Sequence, residues 1–136
     1  MEEGSDATAA GFSLPTEGQR LRGYRALLQG HSAEASVERA YRKRGCKLVG
    51  KRVRVGPGEI DLIFRHRELI VFVEVKSSRT HERAIHSLTR AQFGRLMGAA
   101  ECFMASHVEL AGLDMRVDLA SVDYLGQVRV LPNITL

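Results

Sequence analysis

The spacing of apolar residues along the chain switches between two periods, and each switch marks an element. Ala33, Val37, Ala40 and Tyr41 recur at helical spacing and predict a helix over residues 32–44. Ser32 is placed to cap its start and Gly45 to end it. Upstream, a helical pattern from about Tyr24 through Leu27 and Leu28 is interrupted at Gly30. Residues 1–20 are small and polar, so residues 1–28 are expected to be a flexible tail and residues 29–136 a single domain. The period then shortens. Residues 47–55 read as an edge strand and Gly56-Pro57-Gly58 as a turn. Residues 59–64 and 69–76 read as two strands joined by Arg65-His66-Arg67-Glu68. The second is almost continuously branched and apolar, as befits a central strand covered on both faces. After Ser77-Ser78-Arg79 comes a loop rich in Arg and His. Helical spacing returns over residues 89–106, with Phe93, Leu96, Met97, Ala100 and Phe103 facing a core. A strand over 115–123, a turn at Gly126 and a short final strand close the chain. This order predicts an α/β fold with a mixed central sheet flanked by helices.

The apolar hairpin carries Glu59, Asp61, Glu74 and Lys76. Buried charge is costly unless it is paired or holds a metal. Alternation puts Glu59 and Asp61 on one strand face, and Glu74 and Lys76 likewise. A turn over residues 66–69 pairs Arg65 with Ile70, so opposed residue numbers sum to 135. Asp61 then faces Glu74, and Glu59 faces Lys76. A slip of one residue would turn Asp61 to the wrong side of the pleat. Two opposed carboxylates repel unless a proton or a cation lies between them. A structural ion cluster and a metal site both answer that requirement. A hard cation such as Mg²⁺ accepts one or two carboxylates together with water and phosphate oxygens. Lys76 could then support charge that grows during attack on a phosphate.

The formal charge of +4 and a pI near 9.4 are compatible with nucleic acid. More specific is the stretch from 39 to 54, with eight bases and no acid: Arg39, Arg42, Lys43, Arg44, Lys47, Lys51, Arg52 and Arg54. A charge run is often only a solvated face, but this one crosses a helix end and a strand, which suits phosphate binding. Glu34 lies in the first turn of the helix over 32–44, where an acid also suits the helix dipole. Cys46 and Cys102 form no metal or redox motif and read as reduced thiols. His66, His81 and His86 lack a zinc spacing. No apolar run is long enough to span a bilayer, and acids stand where a signal peptide needs bases, so a soluble cytoplasmic protein is expected. No P-loop, dinucleotide-binding glycine pattern or nucleophile elbow occurs.

A helix glutamate, then G-E-I-D, then a hydrophobic strand ending E-V-K, resembles the PD-(D/E)XK nuclease superfamily, which includes Holliday-junction resolvases and restriction endonucleases. Within it, the chain is similar to the YraN family of small, restriction-endonuclease-like bacterial proteins. The resemblance runs over roughly residues 30–125, through "GHSAEASVERAYRKRGCKLV", "GEIDLI…VFVEVKSSR", "AQFGRLMGAAECFM" and "LAGLDMRVDLASV". It implies a restriction-endonuclease-like sheet with a metal site at the hairpin. Asp61, Glu74 and the Val75 carbonyl would ligate Mg²⁺ or Mn²⁺, Lys76 would be the catalytic lysine, and Glu34 would complete the acidic site. Arg42, Lys43, Arg44, Lys51, Arg52, Arg54, Arg79 and Gln92 are the candidates for contacting nucleic acid. The implied activity is hydrolysis of DNA phosphodiester bonds, at branched or processed DNA, with a homodimer compatible. The alternative is a non-catalytic nucleic-acid-binding module. Two departures stand out: members often carry Lys or Arg where this chain has Gln92, and R-F-D where it has Arg116-Val117-Asp118.

Overall fold

The computed structural model describes residues 13–136. Helix α1 (Glu17–Lys43) leads into strands β1 (Lys47–Val55), β2 (Gly58–His66) and β3 (Leu69–Ser77). Helices α2 (His81–His86) and α3 (Arg90–Ala105) and a 3₁₀ turn (Val108–Leu110) follow, then β4 (Asp114–Val122) and β5 (Val128–Leu131). The five strands lie in chain order in one sheet. All neighbours are antiparallel except β3 and β4, which run parallel. That parallel pair needs a crossover, and α2 and α3 supply it.

The two helical stripes cover opposite faces of the sheet. Ala33, Val37 and Tyr41 of α1 pack on Leu62, Phe64, Val71 and Val73. Leu96, Ala99, Ala100 and Phe103 of α3 pack on Ile60, Ile63, Ile70 and Phe72. Strand β3 is thus covered on both sides, as its composition predicts. Val117 lies in the α3-side cluster, so its departure from the family pattern is a core substitution. Helix α3 begins and ends where expected, capped by Thr89 and closed by Ser106. The Gly-Pro-Gly turn packs closely on α3. A side chain at Gly58 would start 2.9 Å from the Arg95 carbonyl oxygen, and one at Gly56 only 2.6 Å from Cys102 Sγ.

Two local expectations are corrected. The first helix does not start at Ser32: it begins at Glu17, where Thr16 and Gln19 form a reciprocal capping box. Gly30 does not break it, and residues 17–28, expected in a flexible tail, are helical. Residues 13–26 are nonetheless exposed, so this extension lacks the apolar burial that the expectation relied on. The expected tail over residues 1–12 and the side chains of Leu27 and Leu28 lie outside the described residues. Second, the Arg- and His-rich loop contains α2, capped by Thr80. Gly45 ends α1 as expected, at φ +88°. It does so through a paired closure in which Gly45 N–H donates to the Arg42 carbonyl and Cys46 N–H to that of Tyr41.

Candidate active site at the fork between two strands

Register places the acids. From His66 opposite Leu69 to Leu62 opposite Val73, β2 and β3 pair as the sum of 135 requires. There the ladder stops. Ile60 and Leu62, two residues apart, belong to opposite core clusters, so the alternation of β2 breaks at Asp61. The neighbouring strand is bent at the same level. Arg52 of β1 lies between the pairs Lys51–Leu62 and Val53–Ile60, and it adopts a left-handed φ of +48°. A left-handed arginine within a strand is strained and increases local twist. The strands part, and Asp61 fills the fork: its Oδ2 accepts the Val75 N–H at 2.8 Å, where a ladder carbonyl would otherwise be needed.

Glu74 and Lys76 meet Asp61 there. Lys76 Nζ is 3.5 Å from Glu74 Oε2, and their side chains are only 21 % and 17 % exposed. Burial pushes the Glu74 carboxyl up to about 8, the Asp61 charge raises it further, and Lys76 pulls it back. Asp61 is also raised by burial, against the Val75 N–H, a hydrogen bond with Glu74 and the Lys76 charge. Two carboxyl groups this close repel unless a proton or a cation lies between them. The expected pairing of Glu59 with Lys76 does not form. Glu59 is exposed and lies across β1 from Arg54.

Glu34 approaches from α1. Its carboxyl is raised by burial and by the Asp61 charge, and lowered by Arg52 and His31. Arg52 Nη2 stands 2.9 Å from Glu34 Oε1 without hydrogen-bond geometry, so that buried oxygen has no hydrogen-bond partner. Asp61, Glu74 and Lys76 thus meet at one fork, and Glu34, paired with Arg52, lies close enough to feel the Asp61 charge. Sequence reading missed Arg52 as the partner of Glu34; its place in a charged run gave no sign of its conformation.

The basic candidates separate. Arg42 and Lys51 both pair with Glu38, each at 2.9 Å. These contacts hold Glu38 below the usual carboxylate range. Lys43, Arg44 and Arg54 are exposed. The guanidinium of Arg79 lies 5.4 Å from the centre of the Tyr124 ring. Gln92 caps α3: its side-chain oxygen accepts the Thr89 N–H at 3.1 Å and its own N–H bonds Thr89 Oγ1. A lysine or arginine there would lose that reciprocal bond.

A second buried group orients α1. Asp118 of β4 is fully buried and accepts four hydrogen bonds. They come from Tyr41 Oη at 2.6 Å, Arg116 Nε at 2.8 Å, Arg116 Nη2 at 3.1 Å and the Asn133 N–H at 3.0 Å. Tyr41 also stacks on Phe64, with ring centres 4.6 Å apart. Glu34 is two helical turns from Tyr41, so this anchor sets how α1 presents it.

The family model for Uncharacterised protein family UPF0102 matches residues 33–122. The chain belongs to that family. The UPF0102 assignment agrees with the YraN resemblance. A UPF0102 protein of Dinoroseobacter shibae is 52 % identical over 118 residues, covering 87 % of this chain and 88 % of its own. Another, from Ruegeria pomeroyi, is 46 % identical over 112 residues, covering 82 % and 91 %. Among solved structures, Pyrococcus furiosus SfsA in complex with Ca²⁺ aligns over 80 % of this chain and 64 % of its own. It does so at 16 % identity and a TM-score of 0.31, a likeness too slight to bear argument. Among the described residues of the UPF0102 chain, no helix is long and apolar enough to cross a membrane.

Proposed function

We propose that this UPF0102 protein is a metal-dependent nuclease of the restriction-endonuclease-like fold, hydrolysing DNA phosphodiester bonds. The observation that carries the reading is the fork itself. Asp61 and Glu74 share one half-buried place with Lys76 beside them, where two carboxyl groups call for a proton or a cation between them.

The donor set fits a hard divalent cation such as Mg²⁺ or Mn²⁺. Among the described residues, no three His, Cys, Asp or Glu side chains converge as a ready-made cage. Mg²⁺ does not need one, since it keeps several waters and takes one or two carboxylates with phosphate oxygens. Asp61 and Glu74 would hold it, with the Val75 carbonyl as a further oxygen. The bound cation would polarise the phosphate and lower the pKa of a water molecule. Asp61 is held in place by the Val75 N–H. Lys76, anchored by Glu74, can position the attacking water or offset charge on the phosphate. Glu34, paired with Arg52 at 2.9 Å, adds a third carboxylate near the fork.

The test is incubation with labelled single-stranded, duplex, flap and four-way-junction DNA under Mg²⁺ and Mn²⁺. Cleavage should be seen with wild type and lost with Lys76→Ala and Glu74→Ala. Cleavage unchanged in those variants would refute the assignment. Salt-sensitive binding without cleavage under either metal would favour a nucleic-acid-binding module instead.

A further inference from the structure

At the other end of β2, away from the acids, lies a cavity of about 740 Å³ lined by Arg44, Gly45, Lys47, Arg65, His66 and Arg67. It opens beside a smaller cleft of about 200 Å³, which shares Arg44 and His66 and adds Tyr41, Cys46, Leu69, Val71 and Arg116. Asp61 and Arg65 are four residues apart on one strand, so the two places are separated by about 13 Å.

The cavity brings together four permanent cations and a histidine, and no acid lines it. Several bases nearer the acids are paired: Arg42 and Lys51 with Glu38, Arg52 with Glu34, and Arg116 with Asp118. Arg44, Lys47, Arg65 and Arg67 make no ion pair among the described residues. Lys47 and Arg65 are moreover direct cross-strand partners. Like charges set opposite each other destabilise a sheet. The arrangement is also held in place. Arg65 Nε donates to the Arg67 carbonyl at 2.9 Å, and Arg67 sits in the hairpin turn at φ +57°. Three arginine forks and a lysine around one concavity match the several oxygens of a phosphate group. In the adjoining cleft half-buried Leu69 and Cys46 leave some apolar surface open, beside the Asp118-paired Arg116.

We infer that this cavity is a binding site for the phosphate of a nucleotide unit, with the base directed to the smaller cleft. The site is separate from the acidic fork and does not depend on cleavage there. The phosphate can belong to a nucleotide chain or to a free nucleoside monophosphate.

The experiment uses the full chain in EDTA, so that cleavage plays no part. Fluorescence anisotropy follows a labelled single-stranded oligonucleotide with and without a 5′-phosphate. Calorimetry follows a nucleoside monophosphate and inorganic phosphate. At least one nucleotide probe should bind at physiological salt. Its affinity should fall at least tenfold in Arg44→Ser/Arg67→Ser, with a shallower salt dependence, and stay within about twofold in Arg129→Ser, an exposed base outside the cavity. Both replaced side chains are exposed, so the fold should persist; circular dichroism checks it, and Arg67→Glu provides a second variant. A preference for the oligonucleotide identifies the chain as the source, and a preference for the monophosphate identifies the free nucleotide. Failure of every nucleotide probe to bind would overturn the inference. So would binding that the cavity substitutions leave intact. Inorganic phosphate binding as tightly as the nucleotide would remove the base from the smaller cleft.

Discussion

Replacing Glu74 with glutamine should stabilise the protein at alkaline pH when no divalent cation is present. The Glu74 carboxyl is pushed from 4.5 up to about 8, first by burial and then by Asp61. The folded chain therefore keeps a proton that the unfolded chain has already released. Stability contributed by this group is full below the unfolded value. It falls as pH rises from about 4.5, and the loss is complete above about 8. At about 1.4 kcal/mol per unit, the whole shift would be worth about 5 kcal/mol. Proton sharing with Asp61 and residual solvent contact reduce this to roughly 2–4 kcal/mol. That is a large part of the ~5–15 kcal/mol holding a typical domain. Urea unfolding of wild type and Glu74→Gln, in EDTA, between about pH 5 and about pH 9 measures it. Glu38, whose carboxyl is lowered, titrates below this window and does not interfere. Asp61 and Glu34 are raised, so the variant should keep a shallow slope of the same sign. Parallel loss of stability in both proteins would refute the reasoning. Adding Mg²⁺ to wild type at the alkaline end should recover much of what the substitution gains.

Other outcomes follow from buried contacts. Tyr41→Phe keeps the stack on Phe64 but removes one donor from the buried Asp118 carboxylate. It should cost about 1.5–3 kcal/mol in denaturant unfolding, with the m-value unchanged. Arg67→Gly relieves a left-handed backbone in the hairpin turn and should stabilise by about 0.5–1 kcal/mol, read as a rise in thermal midpoint. With a thiol-alkylating reagent and mass-spectrometric readout, exposed Cys102 should be modified before Cys46. The Cys46 thiol is half-buried and raised by that burial.

Much of this arrangement was legible because strand register is arithmetic. The turn over 66–69 fixed which hairpin residues face each other, and the observed ladder follows that count as far as Leu62 and Val73. Helix α3 was readable from its caps, since Thr89, Ser106 and the apolar stripe between them agree. The count failed beyond Asp61, where Arg52 turns left-handed and the two strands separate. Nothing in the pattern of polar and apolar residues encodes that bend. Helix α1 was cut short because Ser32 resembles a cap, while the actual cap lies in a polar stretch with no buried face to reveal it. Asp118 was noticed within a strand, but besides its neighbour Arg116 its donors come from Tyr41 and Asn133, which no local pattern could bring together.

The bend at Arg52 has another effect, on the outer side of β1. A nine-residue strand at the margin of a sheet exposes a row of unpaired backbone groups onto which another chain could align. Here the row is interrupted twice: by the register shift between Leu48 and Gly50, and by the left-handed Arg52. It also carries Lys47, Lys51, Arg52 and Arg54. At the opposite margin, β5 is only four residues long. The distortion that opens the fork for its acids thus also guards the sheet against open-ended stacking into aggregates.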